Sequence, residues 1–215
     1  MARPGAADPD LAPQRSTTQG KDFKRRNLLK LATAKLESTS AYSQSRHYET
    51  EELEKESKRD YEARTWRDRL NTKEDGTVFI PPMAFKNCLS EAAKFLSVQI
   101  QGKGKATYTK HFEAGVLVMD ALELPLKKEE VQGEWLFVPS DGKRGGGSRV
   151  MKCFPFIPNW KGEVKFYILD ETITKDVFQK HLKEAGNFIG IGRFRPRNNG
   201  FYGRFKVVGL EWQEV

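Results

Sequence analysis

The pattern of apolar and polar positions predicts alternating strands and helices from Val78 onward. Residues 78–80 are an apolar run closed by two prolines, and residues 83–96 then repeat apolar side chains at helical spacing. Residues 172–186 show the same spacing between an N-terminal threonine and a final glycine, which predicts a second helix. Strand patterns occupy residues 115–126, 163–171 and 202–215.

Three further segments have less regular patterns. Residues 28–38 combine helix-favouring Ala, Lys and Leu with an imperfect alternation, so both a helix and a strand stay open at this point. Residues 50–70 place mixed charges at helical spacing and predict a solvated helix within an insertion. Residues 135–160 predict loops and short strands around a glycine-rich basic tip.

The order of these elements predicts the fold. With either residues 28–38 or residues 78–80 as the first strand, the chain runs strand, helix, strand, strand, helix, strand, which is a ferredoxin-like order. We therefore expect an α+β protein with a βαββαβ core and insertions.

Composition limits the classes of protein to consider. A chain of 215 residues suits one elaborated domain, and 37 Lys and Arg against 29 Asp and Glu give a formal charge of +8, as in proteins with anionic partners. The sequence has no apolar run long enough to span a bilayer and no signal-peptide pattern, so we expect a cytoplasmic protein without a membrane partner. Two cysteines and three histidines predict no disulfide framework, metal site or cofactor. Residues 1–22, rich in Pro, Ala, Gly and Ser, predict a disordered arm.

One segment concentrates features suited to nucleic acid. The stretch "IGIGRFRPRNNGFYGRFKV", residues 189–207, holds four glycines, five cationic side chains and four aromatic rings. Glycine lets backbone N–H groups approach an anion, arginine offers planar donors to phosphate, and rings such as Phe201 can stack on bases. The alternative is an ordinary mobile connection with its rings packed under the sheet. The candidate binding residues are Gly190, Gly192, Arg193, Phe194, Arg195, Arg197, Tyr202 and Arg204.

Three other segments add basic side chains among glycines or tyrosines. They supply the candidates Arg46, His47, Lys103, Lys105, Lys143, Arg144 and Arg149. Together with residues 189–207 they make four basic loops, as a groove that follows a phosphate backbone requires. The chain has no Walker, Rossmann or catalytic-triad signature.

Two motifs together resemble the CRISPR-associated RAMP superfamily. The segment "VFIPPMAFKNCLSEAAKFL" resembles the strand, tight turn and first helix of that family, with Ile80, Pro81 and Lys86 at matching positions and Phe85 at a leucine position. The glycine-rich stretch resembles the family's C-terminal loop. The sequence departs from the family where Pro82 and Asn87 replace glycines, and where Ser90 and Glu91 stand at the usual arginine.

The resemblance implies a more specific structure. It implies an RRM-like domain over residues 23–215, with insertions at about 48–76 and 126–160, one of which would be a thumb. It also implies that residues 28–38 form the first strand and that the loop after them lies near bound RNA. Lys86 is expected to point toward a phosphate.

The function implied is that of a non-catalytic backbone subunit. Such a subunit polymerises with further copies of itself along guide RNA, presents it to complementary target nucleic acid, and contacts other effector subunits. No aspartate lies between Asp22 and Asp60, so the cleavage known in some members is not expected. Two alternatives stay open. One is a metal-independent endoribonuclease with His47 or His111 as its base. The other is a stand-alone single-stranded nucleic-acid-binding protein.

Overall fold

A computed structural model describes residues 29–140 and 147–214. The strands of this part of the chain are β1 (Lys30–Ser38), β2 (Thr77–Ile80), β3 (Val116–Leu117), β4 (Leu122–Lys127), β5 (Gln132–Pro139), β6 (Arg149–Phe156), β7 (Lys161–Ile168) and β8 (Phe205–Glu214). Its α-helices are α1 (Lys58–Thr65), α2 (Pro82–Leu96), α3 (Thr109–Gly115) and α4 (Lys175–Glu184). None of the described helices is long and apolar enough to cross a membrane.

The main sheet confirms the predicted ferredoxin-like core. Its four strands lie in the order β3-β7-β1-β8, and every neighbouring pair is antiparallel. Together with α2 and α4, these strands follow the chain order βαββαβ. The core lies where the rings of Phe166 and Phe178, on β7 and α4, meet with centroids 5.2 Å apart, and where Phe85 of α2 meets Phe205 of β8.

Residues 30–38 form strand β1, although the composition of this segment favours helix. Strand β1 lies between β7 and β8, so its backbone hydrogen-bonds on both sides. Its alternate residues Ala32, Ala34 and Leu36 are buried in the core. Pairing with two neighbours and burial of one face outweigh the local helix preference.

Three element predictions were wrong in detail. Residues 115–126 are not one strand, because β3 joins the main sheet while β4 pairs with β2 in a separate two-stranded sheet. Residues 50–57 are not helical, and α1 begins only after Ser57, whose Oγ accepts a hydrogen bond from Asp60 N. The helical turns after α4 continue to Ile189, past the predicted end at Gly186.

The two insertions pack against each other. Strands β5 and β6 form an antiparallel hairpin, and α1 lies against β6. The buried Arg69 donates to both carboxylate oxygens of Glu62, and Glu62 in turn accepts from Cys153 N. This ion pair fastens the helical insertion to the hairpin. The domain over residues 23–215, with insertions at about 48–76 and 126–160, stays a prediction. The predicted arm, residues 1–22, lies outside the described residues.

Candidate nucleic-acid interface

Two loops meet at one end of the main sheet. Residues 39–48 follow β1 and residues 189–204 precede β8; we call them the paired loops. Gly203 N donates to Ala41 O at 2.7 Å, and Arg193 N donates to Ser43 O at 2.9 Å. Arg204 N donates to Ser40 Oγ at 3.0 Å. These bonds make one continuous surface from loops that are about 150 residues apart in sequence.

Two glycines permit the close packing of the backbone in the paired loops. Gly192 has φ +74°, and a Cβ added there would lie 2.5 Å from Ser43 O and 2.4 Å from the Tyr42 ring. Gly203 also has φ +74°, and its added Cβ would lie 1.8 Å from Ile191 O. An L side chain at Gly192 would therefore be strained and would push the two loops apart, whereas one at Gly203 would be strained and would clash within the second loop. Glycines that were predicted to bring backbone close to an anion thus allow backbone segments of this surface to pack closely against each other.

Arg193 and Tyr202 point into the molecule. The Arg193 guanidinium lies 3.4 Å from the ring centroid of Phe154 on β6, and burial lowers its pKa. Its Nη1 is buried and has no hydrogen-bond partner among the described residues. Tyr202 is 7% exposed and donates its hydroxyl to Glu134 of β5 at 2.7 Å. Burial and Glu134 raise the pKa of Tyr202 to about 12. The buried ring of Tyr202 is not accessible to a base in this structure, where it connects the paired loops to the hairpin, and its contact with RNA stays a prediction.

One carboxylate lies near two more arginines and is hydrogen-bonded to one of them. Glu91 of α2 accepts from Arg195 Nη2 at 2.8 Å, and its other oxygen lies 3.8 Å from Arg197 Nε. The Arg195 side chain is mostly buried by this contact, whereas that of Arg197 is exposed. Arg204 is partly exposed and donates to the backbone oxygens of Asn187 and Phe201. Only part of the positive charge of the paired loops is therefore free for a ligand.

Lys86 does not point toward a phosphate site in this structure. Its Nζ donates to Ser90 Oγ at 2.8 Å and to the carbonyl oxygens of Phe112 and Glu113 at 2.9 and 2.8 Å. An ammonium group has three protons, so all its donors are used at the C-terminal turn of α3. Burial lowers the pKa of Lys86. The side chain joins two helices in this structure, and its contact with phosphate stays a prediction.

The remaining candidates have accessible side chains at several places. Arg46 and His47 are exposed in the first paired loop, and His47 lies 3.5 Å from Glu49. Phe194 is 42% exposed in the second. Lys103 and Lys105 lie in a separate turn after the C-terminal end of α2, and Arg149 begins β6. Lys143 and Arg144 lie outside the described residues.

The sequence alone did not identify the residues that hold the second paired loop in place. Glu91 had a signal, because it stands where the resemblance to the RAMP superfamily leads us to expect an arginine. Glu134 and Phe154 had none, since each contacts a residue of the second paired loop that is far away in sequence.

The candidate bases of the nuclease alternative lie apart. His47 is in the first paired loop, whereas His111 of α3 hydrogen-bonds through Nδ1 to Asp170 at 2.6 Å, with its ring 6.3 Å from that of Tyr108. Within the described residues, no three His, Cys, Asp or Glu side chains form a group that could hold a metal ion.

Comparison with known proteins bears on the fold. No family model and no curated protein matches the chain by sequence. Its ferredoxin-like fold is shared with a chain of a CRISPR type III-B effector complex, and this likeness concerns the fold alone. One similar structure is a chain of the type III-B Cmr-beta complex bound to cognate target RNA, with a TM-score of 0.51 and 10% identity over 87% of this chain. This chain spans only 61% of that one. Another is Cmr6 from Pyrococcus furiosus, with a TM-score of 0.44 and 14% identity over 83% of this chain and 98% of that one.

Proposed function

We propose that this protein is an RNA-binding subunit of a CRISPR-type RNA-guided effector complex, that it coats guide RNA as a backbone subunit, and that it is not a nuclease. The observation that carries the proposal is the surface of the paired loops, which puts exposed cations and aromatic rings at one end of a RAMP-like sheet. The first paired loop follows β1, where the family resemblance expects bound RNA.

The charge of this surface supports binding through phosphates. Arg46, Arg197 and the partly exposed Arg204 are positioned to contact a backbone without reading bases. Such contacts bind unrelated sequences alike and release counterions. This matches a subunit whose sequence specificity is delegated to pairing between guide and target.

The hairpin of β5 and β6 supports the thumb assignment to the insertion at about 126–160. Phe137 and Met151 lie directly opposite each other, and Trp135 precedes them on the same face. All three side chains are exposed, with Phe137 at 58%. An exposed apolar face on a β-ribbon is suited to insertion between stacked bases. The helical insertion instead supports the hairpin through Glu62 and Arg69.

The site chemistry supports a binding role over catalysis. The described loop 39–48 contains no carboxylate. His47, its only histidine, is exposed beside Glu49. A general base acts best when it is held at hydrogen-bond distance from its proton. His111 is oriented by its hydrogen bond to Asp170, but it does not belong to the paired loops.

The proposal is tested by the RNA that copurifies with the protein. Sequencing is expected to show a discrete small RNA, whereas no RNA or mixed DNA would favour the stand-alone binding protein. Arg46→Ala is expected to weaken binding equally for unrelated RNAs and to make the salt slope shallower by about one unit. Arg59→Ala is the matched control, because Arg59 is an exposed arginine on α1.

Cleavage is tested separately with labelled complementary RNA. We expect uncut complexes with magnesium, with manganese and in EDTA. Turnover that His47→Ala or His111→Ala abolishes would instead establish the endoribonuclease.

A further inference from the structure

Two exposed phenylalanine rings form a cluster in the second paired loop. Phe194 and Phe201 are 42% and 55% exposed, and their ring centroids lie 5.8 Å apart in an edge-on arrangement. Phe194 has φ +57°, in the left-handed region that bulky side chains rarely adopt. Backbone strain of this kind persists where the surrounding structure enforces it, and it concentrates at binding and catalytic sites.

Close contacts fix the backbone that carries the two rings. Tyr202 N donates to Phe194 O at 3.1 Å, and Gly200 packs so tightly that an added Cβ would lie 1.8 Å from the same oxygen. The Tyr202 ring lies beneath both, 6.0 Å from Phe194 and 4.6 Å from Phe201. Its hydroxyl is fixed by Glu134. Tyr202 is thus the buried floor of the cluster, and the two phenylalanines are its accessible part.

We propose that Phe194 and Phe201 form a stacking site for an unpaired RNA base. This inference deepens the proposed function and rests on it. A phenylalanine face stacks on any nucleobase without reading its identity. Arg197 and Arg204 lie in the same loop, so a base on the rings leaves its phosphates within the positive field of this loop. A protein partner is the alternative occupant of exposed apolar rings, but the flanking cations favour an anionic chain.

The test uses the full chain and two kinds of single-stranded RNA. Fluorescence anisotropy is measured with intact oligonucleotides of unrelated sequence and with matched oligonucleotides that carry abasic positions. Wild-type protein is expected to bind intact RNA more tightly than abasic RNA. Phe201→Ala should weaken binding to intact RNA about 5- to 150-fold and leave binding to abasic RNA nearly unchanged. Phe201→Trp should retain the affinity. Phe188→Ala, at a phenylalanine that is 51% exposed outside the cluster, should have no effect.

The outcomes separate this inference from the proposed function. A wild-type protein that binds neither RNA refutes the proposed function itself. A wild-type protein that binds intact and abasic RNA equally refutes the stacking site alone, and this result does not depend on any variant. Equal weakening of both RNAs by Phe201→Ala would show that the ring only shapes the loop. If Phe201→Ala leaves the affinity for intact RNA unchanged, the stacking site is refuted and the rings are assigned to a protein contact.

Discussion

Replacing Gly192 by alanine tests whether the paired loops depend on their close approach. At φ +74°, an alanine costs about 1–2 kcal/mol relative to an ordinary backbone conformation. The added methyl would also lie 2.5 Å from Ser43 O, and relief of such overpacking costs about 1–3 kcal/mol. Separation of the loops breaks the hydrogen bond from Arg193 N to Ser43 O, worth about 1 kcal/mol.

Gly102 provides a control with nearly the same backbone. Its φ is +76°, and an added Cβ would meet nothing within 4 Å. Gly102→Ala therefore includes the conformational cost without the clash. We expect Gly192→Ala to be more destabilising than Gly102→Ala by about 2–4 kcal/mol. This difference corresponds to about 4–16 °C in Tm for a protein of this size.

The assay is urea unfolding of both variants and wild type, followed by RNA binding under conditions where all three are folded. Gly192→Ala should lose RNA affinity because the two loops no longer form one surface, whereas Gly102→Ala should bind like wild type. The reasoning would be refuted by equal stability of the two variants, since the contact with Ser43 would then carry no energetic weight.

Three further predictions follow from buried or paired charges. Glu91→Gln should release Arg195 and so raise RNA affinity and steepen its salt dependence, measured by anisotropy at several salt concentrations; unchanged binding would place Arg195 outside the interface. Glu62→Ala should cost about 3–5 kcal/mol in urea unfolding because it leaves Arg69 buried without its partner, whereas Glu62→Leu combined with Arg69→Met should recover most of the loss. Burial lowers the pKa of His181 from 6.5, so as pH falls the unfolded protein binds a proton at this histidine before the folded protein does. The free energy of unfolding should therefore fall as pH drops below 6.5. His181→Leu should flatten that dependence in unfolding measured from about pH 8 to pH 5.

Local signals were sufficient for several elements of this protein. Apolar residues at helical spacing predicted α2 and α4, and alternation predicted β7 and β8, because these patterns record which face of each element is buried. The order of the elements then predicted the ferredoxin-like core. The glycine-rich loop was also visible, since glycine, arginine and aromatic residues were concentrated in one segment.

Only the tertiary structure decided the conformation of residues 30–38 and the partners of the candidate side chains. Strand β1 exists because β7 and β8 complete its hydrogen bonds, which no local propensity records. Lys86 is occupied by carbonyl groups of α3, Arg195 by Glu91, and Tyr202 by Glu134. Each pair joins residues at least 26 positions apart, so a sequence pattern shows that a charge or ring is present but not whether folding leaves it free. Packing alone determines which of these side chains can meet a ligand.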